Sequence, residues 1–126
     1  MLTKKELSIL APSVVNNKTY FPIVTVVGSY KFGDKMLQVQ RELQELGCIV
    51  LMPIKLEYPG YSEYANNLSD KEIHDRHDQK MLMSDFVFCV NIGGFIGDHT
   101  QREIDFCKDN HIKIVYLEEV DNNGTT

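Results

Sequence analysis

The chain has 126 residues, of which 43% are apolar and 25% are charged, and its net charge is −5. This length and balance fit one folded domain with a core of its own and exclude a chain that is disordered throughout. The negative charge disfavours a nucleic acid polymer as partner, because binding to a phosphate backbone requires clustered Lys and Arg.

Helices and strands alternate along the chain. Two capping boxes, Thr3 with Glu6 and Ser69 with Glu72, mark the starts of two helices, and the spacing of apolar residues marks the other elements. In chain order we predict a helix over residues 4–10, a strand over 22–27, a helix over 33–46, a strand over 48–52, a helix over 70–83, a strand over 86–90, a helix that follows Asp98 and runs to about 110, and a strand over 112–117.

This alternation predicts an α/β fold: a Rossmann-like or flavodoxin-like three-layer sandwich around a parallel sheet of four to five strands. The first strand is the most apolar, so we expect it near the centre of the sheet. The single domain covers residues 1–126, with a core over about 22–118, an N-terminal helix and connector over 1–21 and a flexible polar tail over 121–126.

A loop rich in tyrosine is predicted over residues 54–68, between the second strand and the third helix. Its rings, those of Tyr58, Tyr61 and Tyr64, could stack on a base, and packing on the domain is an equally good account of them. We expect this loop to be mobile and to lie over a site.

The three cysteines predict an intracellular setting. Cys48, Cys89 and Cys107 lie within predicted strands or a helix, with no CxxC spacing, which is typical of reduced, buried thiols. No apolar run reaches membrane-spanning length, and residues 1–10 lack the apolar core of a signal peptide. We therefore expect a cytoplasmic protein with no membrane partner.

The turn after the first strand is the first candidate binding segment. Here Gly28, Ser29, Tyr30 and Lys31 could offer backbone N–H groups, a hydroxyl and an ammonium group to a phosphate or a sugar hydroxyl. The alternative is a plain strand-to-helix turn. Neither GxGxxG nor GxxxxGK[ST] is present, so we expect no dinucleotide cofactor.

The glycines after the third strand form the second candidate segment. Gly93, Gly94 and Gly97 allow close approach of a ligand to the backbone, although glycines also serve tight turns without function. In an open α/β sheet, ligands bind beyond the carboxyl ends of the strands, where this loop belongs.

Two carboxylates and a hydroxyl follow these glycines. Asp98, three residues before Gln101, has the spacing of a helix N-cap, and Thr100 and Glu103 come just inside that helix. A helix N-terminus favours ionised carboxylates, so Glu103 is expected to be deprotonated and near a pocket. The alternatives are that Asp98 only caps the helix and that Glu103 is solvated.

The predicted third helix adds a histidine pair. His74 and His77 stand three residues apart and could present two imidazoles on one face. No third ligand and no HExxH motif accompany them, so we expect no metal and favour His77 as a substrate contact. Asp85, at the end of the helix, is either an ionised helper or a turn residue.

Three of these segments together resemble the nucleoside 2-deoxyribosyltransferase-like family, which includes the 2′-deoxynucleoside 5′-phosphate N-hydrolases. They are the Gly28-Ser29 turn, the Ser84-Asp85 pair and the Thr100-Gln101-Arg102-Glu103-Ile104 stretch. The likeness covers residues 22–118.

The resemblance implies cleavage or transfer at the bond between a deoxyribose and its base, without a cofactor, in a homodimer or higher homo-oligomer. By that likeness Glu103 is the nucleophile that forms a glycosyl-enzyme ester, and Gly28 and Ser29 contact the sugar or a 5′-phosphate. Either Asp85 or Asp98 would orient the sugar or protonate the base.

Two other functions remain open at this stage. The loop is also similar to the PGGxGTxxE stretch of the lysine-decarboxylase-like phosphoribohydrolases, with Thr100 three residues before Glu103. His99 stands where many deoxyribosyltransferase relatives have Gly. A non-catalytic module that binds a nucleotide in the same pocket is the alternative from another functional class, and an oligomeric scaffold with a vestigial pocket is a third.

Overall fold

The structure, a computed structural model, describes residues 1–11, 21–57 and 67–120. Most of the predicted connector and tyrosine loop, with Tyr58, Tyr61 and Tyr64, and the tail over 121–126 lie outside the described residues. In chain order the elements are α1 (Lys4–Leu10), β1 (Ile23–Gly28), a 3₁₀ turn (Tyr30–Phe32), α2 (Gly33–Glu45), β2 (Ile49–Leu51), α3 (Ile54–Glu57), α4 (Asp70–Leu82), β3 (Phe86–Val90), a 3₁₀ turn (Ile92–Gly94), α5 (Asp98–Asp109) and β4 (Ile114–Tyr116).

The four strands form an all-parallel sheet in the order β2-β1-β3-β4. The predicted α/β fold is confirmed, and β1 is internal, as expected of the most apolar strand. β1 pairs with β3 over its length, from Val24 opposite Phe86 to Gly28 opposite Val90. Because the chain leaves β1 toward β2 on one side and later returns to β3 on the other, the sheet has its topological switch point between β1 and β3.

Alternate residues of the inner strands enter two separate cores, one on each face of the sheet. On one face, Phe86, Phe88 and Val90 pack with the apolar side of α2. On the other face, Val87 and Cys89 pack with residues of α4 and α5. The two-residue period of a strand therefore produces the three-layer arrangement that the continuous apolar run over residues 86–90 predicts.

The helix starts agree with the sequence where local capping decides them. Thr3 and Glu6 form the predicted capping box at α1, and Ser69 and Glu72 form the one at α4. The predicted loop after β2 is different, because it begins with the short helix α3. In the described parts of the chain, no helix is both long and apolar enough to cross a membrane.

All three cysteines are buried and free. Burial raises the pKa of Cys48 and of Cys107 to about 11 and that of Cys89 to about 12. These thiols therefore serve as small apolar groups of the core rather than as nucleophiles.

We expect the native protein to react slowly with a thiol reagent at pH 8, because only on the order of one thiol in a thousand is ionised when the pKa is near 11. All three should react at once in guanidinium chloride. Absorbance of the released aromatic thiol measures both rates. A native thiol that reacts as fast as a free cysteine would contradict the burial of that side chain.

Gly28 is fixed by the close approach of β1 to β3 at the carboxyl end of the sheet. A Cβ at this position would lie 2.9 Å from the carbonyl oxygen of Val90. Backbone cannot yield as the end of a flexible side chain does, so a side chain here would push the two central strands apart.

Gly28→Ala is expected to destabilise the fold by about 1–3 kcal/mol, as overpacking typically does. Gly33→Ala is the matched control, because its Cβ meets only Leu56 Cδ2 at 3.5 Å and Gly33 has helical backbone. That control should change the stability by less than about 1 kcal/mol. Denaturant unfolding of both variants measures the difference, and equal midpoints would refute the predicted clash.

Candidate functional site

A pocket of about 670 Å³ opens at the carboxyl ends of the strands. Its wall consists of the turn after β1, the start of α3, one side of α4, and the loop and first turns that begin α5. Most of the candidate residues line it: Gly28, Ser29, Tyr30, Lys31, His77, Gly97, Asp98, Thr100 and Glu103. The pocket lies at the switch point of the sheet, where the fold leaves a crevice between β1 and β3.

Glu103 lies in the pocket wall because of its position on α5. Thr100, Ile104 and Cys107 form the buried stripe of this helix. Glu103 comes between them in sequence, at the edge of the stripe, so its carboxylate is close to the core and still reaches the pocket. Its side chain is 12% exposed. The Glu103 charge adds to the effect of burial in raising the pKa of Cys89 and Cys107.

His77 of α4 meets this carboxylate. Its Nε2 lies 2.5 Å from Glu103 Oε2, and only 9% of the His77 side chain is exposed. Neither ring nitrogen of His77 makes an aligned hydrogen bond with any residue that the structure describes, so His77 and Glu103 are in close contact by distance and are not aligned as a hydrogen bond. The sequence predicted His77 near the pocket but gave no sign of its contact with Glu103.

A salt bridge joins the same two helices beside this contact. Asp78 accepts hydrogen bonds from both terminal nitrogens of Arg102, at 3.1 and 3.4 Å. The two pairs have opposite polarity, with α4 supplying the base of one and the acid of the other. Arg102, whose side chain is 40% exposed, thus links the two helices in this structure.

The turn after β1 is fastened to the loop before α5 by aromatic contacts. Lys31 Nζ lies 3.2 Å from the centre of the Phe95 ring, and the ring of Phe32 meets Phe95 edge-on at 6.0 Å. On the opposite rim Lys55 Nζ lies 4.6 Å from the Tyr30 ring. These contacts place cations and aromatic faces around the pocket mouth.

Asp98 lines the pocket but is not the N-cap that the sequence predicts. Gly97 takes that position with extended backbone, and its carbonyl accepts the first helical hydrogen bond from Gln101 N at 2.9 Å. The Gln101 side chain bonds forward to Asp105 at 2.9 Å, so no capping box forms. The helix starts one residue earlier than predicted, and the exposed Asp98 carboxylate has no capping bond.

Asp85 lies away from the pocket, at the amino ends of the strands. Its Oδ2 accepts a hydrogen bond from Ile23 N at 2.7 Å, and its own N–H donates to Ile23 O at 2.8 Å. The neighbouring Ser84 hydroxyl donates to Lys80 O at 2.8 Å and lies 2.7 Å from Thr25 Oγ1. The Ser84-Asp85 pair therefore fastens the end of α4 to β1, and the helper role predicted for Asp85 does not fit this place.

Gly93 and Gly94 also lie outside the pocket wall. Both have positive φ, 64° and 76°, which a non-glycine residue adopts only under strain. Gly93 N donates to Glu118 Oε2 at 2.8 Å, and the buried Asn91 side chain pairs with both backbone polar groups of Glu118. This part of the loop is thus anchored to the chain after β4.

Several pocket residues were not assigned to the site by the sequence analysis: Phe95, Arg76 and Lys80 line the wall. His74, considered there only as a metal ligand, and His99 also line it, and their rings meet edge-on with centres 4.9 Å apart. The two histidines are distant in sequence and have no common motif. Among the described residues, no three His, Cys, Asp or Glu side chains are grouped so that they could hold a metal ion.

Comparison of the chain with models of protein families, with curated proteins and with solved structures found no match. The geometry of the pocket therefore carries the functional argument.

We expect Asp85→Ala to destabilise the fold by about 1–3 kcal/mol, because it leaves the Ile23 N–H without its acceptor. Asp85→Asn keeps an acceptor oxygen and should lose less. Urea unfolding measures both. Turnover per folded molecule, in the reaction proposed below, should change by less than about threefold, since the carboxylate lies at the other end of the sheet. Abolished turnover in a fully folded Asp85→Asn variant would restore Asp85 to the site.

Proposed function

We propose that this protein cleaves or transfers the N-glycosidic bond of a nucleoside or nucleoside 5′-monophosphate, with Glu103 as the nucleophile. The observation that carries the proposal is the Glu103 carboxylate: it is mostly buried, and it lines a 670 Å³ pocket together with the turn after β1. A pocket of this size is in the usual range for small-molecule sites, about 300–1,000 Å³.

The chemistry requires a carboxylate in such a setting. The transition state of glycosidic cleavage resembles an oxocarbenium ion, so a negative oxygen next to the anomeric carbon stabilises the developing charge and can bond to that carbon. A mostly desolvated carboxylate does this better than a solvated one, because electrostatic attraction is stronger where water is excluded.

The rest of the wall supports a substrate that carries a phosphate. The cationic side chains of Lys31, Lys55, Arg76 and Lys80 line the same pocket as Glu103. Ser29 adds a hydroxyl at the end of β1. A sugar held with its anomeric carbon at Glu103 would then have its 5′ substituent within a positive surrounding, as a monophosphate requires.

Asp98 is the better of the two predicted acids for the leaving base. It lines the pocket and is exposed at the start of α5, whereas Asp85 is committed to Ile23 at the far end of the sheet. In this proposal Asp98 donates a proton to the base while Glu103 bonds to the sugar. Because the motifs of this chain resemble those of the nucleoside 2-deoxyribosyltransferase-like family, we also propose that the protein is a cytoplasmic homodimer or higher homo-oligomer.

Glu103→Gln is expected to lower base release at least about 10³-fold, because the amide is neither negative nor nucleophilic. The fold should persist, as measured by circular dichroism and thermal unfolding. Asp105→Asn is the matched control: it makes the same carboxylate-to-amide change on the exposed side of α5 and should retain full turnover. Chromatography of free base from a panel of nucleosides and their 5′-monophosphates is the assay.

The outcomes of this panel separate the candidate functions. Unaltered turnover in Glu103→Gln would exclude Glu103 as the nucleophile. Loss of substrate only when an acceptor base is present identifies a transferase, and loss without acceptor identifies a hydrolase. Binding of a nucleotide by calorimetry with no base released would favour the sensor module.

A further inference from the structure

The contact between His77 and Glu103 determines where the imidazole carries a proton. Nε2 lies 2.5 Å from a carboxylate oxygen. An unprotonated Nε2 would present its lone pair to that oxygen, and two acceptors repel each other at such a distance. A proton on Nε2 removes this repulsion when Glu103 is ionised, and a small turn of the ring would align Nε2–H with the carboxylate oxygen, which lies at a bonding distance but not yet at a bonding angle.

The same distance excludes one role for His77 in the proposed reaction. The acid that protonates a leaving group stands on the opposite side of the sugar from the nucleophile, with roughly 5–5.5 Å between the two groups in retaining glycosidases. At 2.5 Å from Glu103, His77 is on the nucleophile's own side. No sugar ring fits between the two groups.

The surroundings of His77 favour a fixed position. Its side chain is 9% exposed, and the adjacent Asp78 is held by two hydrogen bonds from Arg102, which precedes Glu103. Residue 77 of α4 thus contacts residue 103 of α5, and residue 78 of α4 contacts residue 102 of α5. These two neighbouring contacts, one of them a salt bridge, restrict the movement of one helix along or around the other.

We propose that His77 is a positioning residue, which holds one oxygen of Glu103 through Nε2–H and directs the other oxygen to the anomeric carbon of the substrate. This inference rests on the proposed function and replaces the role of substrate contact that the sequence favours for His77.

The bonding balances without proton loss from His77. Glu103 Oε1 forms the bond to the anomeric carbon as the bond from that carbon to the base nitrogen breaks. The electron pair stays on the base, which takes its proton from a separate acid. The ester that results keeps Oε2 as a carbonyl oxygen, and this oxygen still accepts from His77 Nε2–H.

Two variants of His77 test whether its side chain acts as a hydrogen-bond donor at the position of Nε2 or only fills space. The side-chain nitrogen of Gln reaches about as far as Nε2 of His, and that of Asn only as far as Nδ1. His77→Gln should therefore keep kcat within about tenfold of the wild-type value, while His77→Asn should lower kcat by about 10²-fold, the cost of a misplaced reacting group. KM should change by less than about threefold in both.

Nitrogen NMR of the full chain with labelled histidine gives a second measurement that needs no turnover. We expect the His77 ring to carry its proton on Nε2 in the wild type, and we expect this preference to weaken in Glu103→Ala toward that of a free histidine. The signal is assigned by its absence from the spectrum of His77→Gln. A wild-type ring with its proton on Nδ1 alone would overturn the inference.

The two proposals fail in different ways. If wild-type protein releases no base, the proposed function fails, and the NMR measurement alone decides whether His77 holds Glu103. If wild-type protein is active but His77→Gln and His77→Asn lose kcat equally while both remain folded, the positioning role is wrong and Glu103 keeps its own. A loss confined to KM would return His77 to the role of substrate contact.

Discussion

The parallel pairing of β1 with β3 is the constraint on which the site depends. Five residue pairs, ending with Gly28 opposite Val90, bring the carboxyl ends of these strands to one edge of the sheet. The turn that follows β1 and the loop that follows β3 must then open on the same side, although they are some 60 residues apart in the chain. A side chain at Gly28 would clash with the Val90 carbonyl, so the pocket begins where the two central strands leave no room for a Cβ between them.

The second requirement is the contact between α4 and α5. Both helices cover the same face of the sheet, with Met81 and Ile104 in one core cluster. They also meet through the His77–Glu103 and Asp78–Arg102 contacts. For a mostly buried pair, the cost of removing the two groups from water can exceed the attraction between them. The contribution of the His77–Glu103 pair is therefore better sought in geometry than in folding energy: it fixes the direction of a carboxylate that has lost most of its water.

The opposite ends of the sheet have different uses for acidic groups. At the amino ends of the strands, Asp85 accepts a hydrogen bond from the Ile23 N–H. At the carboxyl ends, Asp98 and Glu103 line the pocket. In parallel strands, free N–H groups lie at the amino ends and free C=O groups at the carboxyl ends. A carboxylate at the amino ends therefore becomes a structural acceptor. The Ser84-Asp85 pair that contributes to the family resemblance is thus accounted for by packing, and the resemblance at the site rests on Gly28-Ser29 and the stretch around Glu103.

Local physics let the sequence alone predict the strands, the capped helices, the parallel sheet and the central place of β1, since apolar runs and Thr3–Glu6 or Ser69–Glu72 boxes act over a few residues. The sequence also predicted that Glu103 lies near a pocket, because a carboxylate after a glycine loop is visible in one stretch. Only the tertiary structure decided that His77 contacts Glu103 and that Arg102 binds Asp78. It alone also decided that Phe95 lies against Lys31 and that Asp85 lies at the amino ends of the strands, away from the pocket. These relations depend on which helices the sheet brings side by side, and long-range pairing leaves no mark in the spacing of neighbouring residues.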